Sequence, residues 1–287
     1  MSRYFILYNP KAGNGKGKNV AEQIRLPEGA EAEYVDITQI SDYQDLFSKL
    51  QEQDRLVLCG GDGTLNHFVN DTAEIKRPKG ILYVPSGTGN DFLNDIGKPA
   101  DNEMVELDAY IEHLPTVTIN GKTTLFMNGI GFGIDGYCCE EGDKQRAAGK
   151  TDINYTAIAI MGLLFHFKPR TATVTVDGIT KTYRKVWIAP TMNGRCYGGG
   201  MFPTPDQDRL HNDTVSLMLM YGKGRLKTLM VFPSIFKGEH VKHTEMVDIM
   251  TGREIKVTFD MPTALQIDGE TVTGVTEYVV KSAALNE

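Results

Sequence analysis

The chain has 287 residues, of which 41% are hydrophobic and 23% charged, with a formal net charge of −7 at pH 7. That length supports two modest domains with cores of their own, and the composition is that of an ordinary globular protein. The acidic balance argues against non-specific nucleic-acid binding, which relies on basic surface, but leaves nucleotide binding open, since a few glycines and one cation suffice for it.

The N-terminal Met1-Ser-Arg-Tyr-Phe-Ile-Leu-Tyr8 has too short an apolar run for a signal peptide and no small-residue cleavage site. Tyr4–Tyr8 reads as a buried strand, followed by a loop over Asn9–Gly17. Ala21–Ile24 continues a helix and Ala32–Ile37 is a second strand. Tyr43–Gln51 is helical, Leu56–Cys59 is a third strand, Leu65–Thr72 a helix and Gly80–Val84 a fourth strand. Strands separated by helices of this length predict a parallel sheet with helices on both faces.

After about residue 115 strand-like segments dominate: Thr116–Ile119, Thr123–Asn128, Ala172–Val176, Thr182–Thr191, Thr214–Tyr221, Glu254–Phe259 and Ala264–Ile267. Asp177-Gly178 marks a hairpin between alternating runs. Tyr155–Phe167 and Leu226–Phe236 interrupt the strands as helices; even the first, the most apolar window, falls short of the roughly 20 residues a membrane span needs. This second part reads as an antiparallel sandwich or barrel-like domain. Cys59, Cys138, Cys139 and Cys196 form no Cys-x-x-Cys pair and lack zinc spacing, so reduced thiols in a cytoplasmic protein are expected.

Five stretches point to chemistry. In Arg55-Leu-Val-Leu-Cys-Gly-Gly-Asp-Gly-Thr-Leu-Asn66 an apolar strand ends in glycines and a helix begins near Thr64. Glycines let the backbone approach a ligand closely, and the exposed N–H groups of a helix start favour anions. Asp62 would repel phosphate unless a cation sat between them, so the stretch reads as a site for metal-bound polyphosphate. Val84-Pro-Ser-Gly-Thr-Gly-Asn-Asp-Phe92 repeats this logic with Asp91 at the same sheet edge. The glycine- and lysine-rich Lys11–Lys18 fits neither the Walker nor the dinucleotide spacing, and is a flexible loop at the end of the first strand. Gly131-Phe-Gly-Ile-Asp-Gly136 matches the dinucleotide pattern literally, but in the antiparallel part, where a sharp turn is the expectation. Gln266-Ile-Asp-Gly-Glu270 reads by itself as a hairpin turn.

Asn9-Pro-Lys-Ala-Gly13, Gly60-Gly-Asp-Gly-Thr64 and Pro85-Ser-Gly-Thr-Gly-Asn-Asp91, in this order, resemble the diacylglycerol kinase catalytic-domain family, in particular its soluble bacterial lipid kinase branch. Asn193-Gly-Arg-Cys-Tyr-Gly-Gly-Gly-Met201 and Asp268-Gly-Glu270 fit the same branch. The resemblance implies an α/β plus all-β protein: a Rossmann-like nucleotide-binding domain over 1–115, a β-sandwich over 116–287 carrying the catalytic base and a lipid-binding surface, and an active site in the interdomain cleft. It implies transfer of the γ-phosphate of ATP to a lipid hydroxyl, diacylglycerol-like, with Mg²⁺.

By residue-wise match, Asn9, Gly60, Gly61, Asp62, Gly63, Thr64, Leu65, Asn66, Gly87 and Thr88 would hold the nucleotide, and Thr38 would contact it at the end of the second strand. Glu270 falls on the general base, and Asp62 and Asp91 on the Mg–water network. Burial is expected to raise the Glu270 carboxyl toward the working range of a base. An accessory Mg²⁺ site would use the Leu210 and Val215 carbonyls and the Asp213 carboxylate, although Asp213-Thr214 replaces the usual Asp-Gly. The acceptor implies transient peripheral contact with a membrane during turnover, with Tyr155–Phe167 and Leu229–Phe236 as the candidate lipid-facing segments. No nucleic-acid partner is expected, and a homodimer is compatible with the sequence. An NAD kinase, which shares Gly-Gly-Asp-Gly-Thr, and a non-catalytic nucleotide or lipid sensor are the alternatives.

Overall fold

A run of Phe5, Ile6 and Leu7, each almost fully buried, forms the centre of strand β1 (Arg3–Tyr8) in a computed structural model describing residues 2–87, 89–99, 103–210 and 213–285. Contacts divide the chain into two units, Met1–His113 and Leu114–Glu287.

In the first unit β1 leads through the helical turns α1 (Ala12–Gly15) and α2 (Gly17–Glu22) to β2 (Glu31–Asp36). There follow α3 (Tyr43–Ser48), β3 (Arg55–Gly60), α4 (Asp62–Asp71), β4 (Leu82–Pro85), α5 (Asp91–Ile96), β5 (Val105–Glu106) and α6 (Asp108–Ile111). The sheet order is β2-β1-β3-β4-β5, with the first four strands parallel and β5 antiparallel to β4. Alternation along the strands sends Ile6, Val57, Cys59 and Val84 toward Ala21 and Ile24. Tyr83 instead meets Phe92 of α5 edge-on at 5.8 Å. The expected parallel sheet with helices is therefore present. Residues 9–17, expected as plain loop, contain the turn α1 and the first residue of α2, with Gly13, Asn14 and Gly15 all at positive φ.

The second unit holds β6 (Thr116–Ile119), β7 (Lys122–Leu125), β8 (Gly129–Gly133), α7 (Ile134–Ala147) and α8 (Tyr155–Met161). It continues with β9 (Arg170–Val176), β10 (Ile179–Val186), β11 (Ile188–Met192), β12 (Val215–Met220), α9 (Arg225–Val231), β13 (Val247–Gly252), β14 (Glu254–Ile267) and β15 (Glu270–Lys281). All strand pairs are antiparallel, in the order β13-β12-β11-β8-β14-β15-β6-β7, with β9 and β10 branching from β14. The long β14 joins the two layers: residues 255–259 pair with β9 and residues 265–267 with β8, with a register irregularity between. Phe132, Val174, Leu217, Val257 and Tyr278, drawn from both layers, share one buried core. A second core packs Leu163, Phe167, Val231 and Ile235 on Trp187 and Met218.

Three expectations need correction here. The sharp turn expected over 131–136 is confined to one residue: 131–133 lie in β8, buried between β11 and β14, and the chain turns at Gly133, φ 99, directly into α7 at Ile134. Because those neighbours are antiparallel, the dinucleotide pattern has no parallel strand–helix unit to serve. The single strand expected over 182–191 breaks at Trp187, whose ring is buried and donates to the Lys223 carbonyl at 2.9 Å. Conversely, 254–259 and 264–267 belong to one strand.

Candidate active site

Parallel register brings the strand ends of the first unit to one edge. Tyr8 lies beside both Asp36 and Cys59, and Gly60 beside Pro85. Since β2 and β3 flank β1 on opposite sides, this edge includes the topological switch point where open α/β sheets bind ligands. Asn9, Gly60–Thr64 and Gly87 gather there.

Asn9 links the first two loops. Its backbone N–H donates to the Cys59 carbonyl at 3.2 Å, and its Nδ2 donates to Thr64 Oγ1 at 2.9 Å. The second and third loops touch backbone to backbone: a Cβ on Gly87 would lie 2.6 Å from the Gly61 Cα. No side chain fits between them, so glycine is required at the contact. Tyr83, its hydroxyl pushed well above the ordinary range by burial, stays a donor and bonds the Gly60 carbonyl at 3.0 Å.

The helix after the second loop starts at Asp62, capped by Gly61, and not at Thr64 as the sequence suggested. A carboxylate in a first turn is favoured by the unpaired N–H groups, whereas the Thr64 side chain is buried under Gly60. Asp62 also reaches across to α5: its Oδ2 accepts from the Asp91 N–H at 3.1 Å and its Oδ1 from the Phe92 N–H at 3.0 Å. Asn90, left-handed at φ 52, turns the chain into this position. A Cβ built on Gly89 would stand 3.3 Å from Asp62 Oδ2 and 3.7 Å from Asp91 Oδ2. Two carboxylate oxygens thus border one small space, a donor set that fits a hard divalent cation such as Mg²⁺.

The other nucleotide candidates differ in setting. Leu65 is fully buried, and Asn66, nearly so, accepts from Asn70 Nδ2 through its carbonyl and its Oδ1. Thr38 is exposed just beyond the edge strand β2, its hydroxyl donating to Asp36 Oδ1 at 2.7 Å. Thr88 lies outside the described residues.

In the second unit Glu270 is the first residue of β15, paired with Ile267 across the two-residue turn Asp268-Gly269, whose φ values are 46 and 92. Both are left-handed, as a tight hairpin of this kind demands. Glu270 is exposed, so the expected burial of its carboxylate is not found. Asp268 is the anchor of the turn: its carboxylate accepts from the Met127, Asn128 and Gly129 N–H groups at 2.5, 2.8 and 3.0 Å. Arg209 fixes the same segment, donating to the Met127 carbonyl at 3.3 Å and Asn128 Oδ1 at 2.9 Å. This tethers the segment holding the accessory-site candidates. Leu210 is exposed, Asp213 sits exposed in a bend, and Val215 opens β12, while residues 211 and 212 lie outside the described residues. Among the described residues no group of three or more His, Cys, Asp or Glu side chains could hold a metal; that set would therefore depend on carbonyl oxygens.

Sequence reasoning gave Asp268, Gln266 and Arg209 no role of their own. The polar Gln266 inside the apolar Ala264-Leu-Gln-Ile267 was the available signal, because a buried amide needs partners.

The family described as Diacylglycerol kinase catalytic domain matches residues 3–119, and that described as YegS C-terminal NAD kinase beta sandwich-like domain matches residues 128–284. A protein of Mycobacterium tuberculosis named Diacylglycerol kinase is 28% identical over 218 residues, 73% of this chain and 67% of that protein. A Bacillus subtilis protein with the same name is 24% identical over 282 residues, 94% of this chain and 90% of its own. Among solved structures, one from Bacillus anthracis described as a candidate diacylglycerol kinase superposes with a TM-score of 0.67 at 19% identity, covering 98% of this chain and 94% of that one. That likeness is one of fold.

Proposed function

The chain belongs to the diacylglycerol kinase catalytic-domain family, and from that premise we propose that it transfers the γ-phosphate of ATP to a lipid hydroxyl, diacylglycerol-like in class. The observation that carries the reading is that Asp62 Oδ2 and Asp91 Oδ2 lie 3.3 and 3.7 Å from the same point beside Gly89, at the end of a parallel sheet where two glycine loops touch. Carboxylates at a phosphate-binding edge make sense when a cation is bound with the phosphate.

In this reading residues 1–115 bind the nucleotide, with Asn9, Thr38, Gly60–Asn66, Gly87 and Thr88 around it. Residues 116–287 supply the base and the lipid-facing surface. Asp62 and Asp91 would hold Mg²⁺, which when bound neutralises phosphate charge as it develops. Leu210, Asp213 and Val215 would hold a second, accessory ion. The glycine-loop N–H groups orient the γ-phosphate, and phosphoryl transfer depends mostly on such positioning. The lipid oxygen forms the new P–O bond, the bond to the β-phosphate oxygen breaks, ADP departs and the hydroxyl proton passes to the Glu270 carboxylate.

The acceptor lies in a bilayer, and no described helix is long and apolar enough to cross one. Contact is therefore assigned to the surface formed by α8, the turn after it and α9. Phe165, Leu226 and Met230 are 65%, 72% and 71% exposed, and Arg225 donates to the Leu163 carbonyl at 2.6 Å, holding the two segments together. Lys223, Lys227, Lys237 and Lys242 follow closely in sequence, although the chain as a whole is acidic.

The test is incubation with ATP and Mg²⁺ against diacylglycerol, sphingoid bases, polyprenols and NAD, each followed for phosphorylated product. Glu270→Gln should lower lipid turnover about 100-fold or more with ATP affinity within a few-fold. Product from NAD alone would establish the NAD kinase reading instead, and no product with any acceptor the sensor reading.

A further inference from the structure

We infer that Gln266 is a positioning residue for Glu270, tying the turn that precedes it to the buried Asp135; this rests on the reading of Glu270 as the proton acceptor. Gln266 lies in β14 and is only 3% exposed, so its amide must find partners inside the protein. It finds them on both sides. Nε2 donates to Asp135 Oδ2 at 3.0 Å, and Oε1 accepts the Gly269 N–H at 2.7 Å. The amide thus joins the first turn of α7 to the residue immediately before Glu270.

The connection needs a gap in the neighbouring strand, and the sequence provides it. Gly131 of β8 is the register partner of Gln266, and a Cβ there would fall 1.7 Å from Asp135 Oδ2. Only glycine lets the carboxylate lie over the strand and meet the amide. The Gly-x-Gly-x-x-Gly lettering at 131–136, which in an antiparallel sheet lacks the parallel strand–helix unit of the dinucleotide fingerprint, acquires a use in this way. The opposite side of the turn is fixed independently, by the three N–H groups of residues 127–129 on Asp268 and by the Asp268 N–H on the Gly129 carbonyl at 3.0 Å. With both sides held, the start of β15 has one position. That matters because displacing a reacting group by about 1 Å costs about 100-fold in rate.

The arrangement can be exchanged between partners. Gln266→Glu sets a second carboxylate against Asp135, and their repulsion draws the side chain at 266 away from the Gly269 N–H. Adding Asp135→Asn restores a donor–acceptor pair with the same total charge. The expected result is a fall in kcat of about 100-fold for Gln266→Glu, with KM for ATP within a few-fold and the Gly269 amide losing its hydrogen-exchange protection. The double variant should return both kcat and protection to within about fivefold of the starting protein. An unchanged kcat in Gln266→Glu, or a double variant no better than the single, overturns the inference. Should Gln266→Glu not fold, Gln266→Met decides: exchange accelerated at Gly269 above the rest of β14 supports the tether, and exchange unchanged or uniformly faster overturns it. The exchange measurements need no acceptor, so they test the tether even if the starting protein phosphorylates no lipid, an outcome that removes only the proposed reaction.

Discussion

Asp62 answers to two partners at once, and the consequences separate in experiment. Its carboxylate caps the N–H groups of Asp91 and Phe92, and one of the same oxygens faces the space shared with Asp91. Asp62→Asn keeps one acceptor and loses the charge, so the cap should weaken by about 1 kcal/mol and the melting temperature by a few degrees. Activity should fall about 100-fold or more and no longer respond to added Mg²⁺; an unaltered Mg²⁺ titration removes Asp62 from the metal site. His240 makes a different kind of prediction. Burial holds its pKa below the ordinary 6.5, outweighing the bond between Nε2 and the Pro203 carbonyl at 2.9 Å. Its neutral form is therefore the folded form, and its contribution to stability is complete above the unfolded-state value and is lost as pH falls below 6.5 toward the folded-state value. His240→Gln, which retains a donor for Pro203, should flatten the loss of urea stability between about pH 7 and about pH 5; identical slopes in the two proteins would reject the assignment.

At the scale of elements, α8 and α9 are each too short to be stable alone; they and the turns that follow them are held by the second core of the second unit through Leu163 and Phe167 after α8, Val231 of α9 and Ile235 after it. Their outer faces keep Phe165, Leu226 and Met230 in solvent. Each such side chain gains about 1.5–3 kcal/mol on burial, so Phe165→Ser, Leu226→Ser and Met230→Ser combined should lower affinity for anionic vesicles at least about 100-fold. Equal flotation of the two proteins would defeat this surface. Much of the fold was legible from sequence because strand and helix periods differ. The first four parallel strands and the hairpin at Asp177-Gly178 follow from local patterning. What escaped was non-local. The helix Ile134–Ala147 has little apolar pattern because only a few of its residues are buried, and the continuity of β14 depends on two successive partners, β9 and β8. In the candidate site the glycine loops were legible as motifs, whereas the contact of Gly61 with Gly87 and the tether at Gln266 required positions distant in sequence to be seen together.

For the molecule as a whole, the cores described above are each complete within one unit: Ile6, Val57 and Val84 belong to the first, Phe132, Leu217 and Trp187 to the second. Two-state unfolding is therefore not expected of the whole chain, and each unit has its own reporter. Trp187, the only tryptophan, is 2% exposed in the second unit. Cys59 is fully buried in the first, and burial pushes its thiol up to about 11, so both access and ionisation suppress labelling until that unit opens. The loops proposed to hold the phosphates lie in the first unit, so on that reading ATP with Mg²⁺ at about 100 times its dissociation constant should stabilise that unit by about 2.7 kcal/mol. The temperature at which Cys59 becomes labelled, followed on its own peptide by mass spectrometry, should then rise by roughly 10 °C, while the Trp187 fluorescence transition moves by much less. Equal shifts of both reporters would mean that the units unfold as one and that the nucleotide stabilises them together.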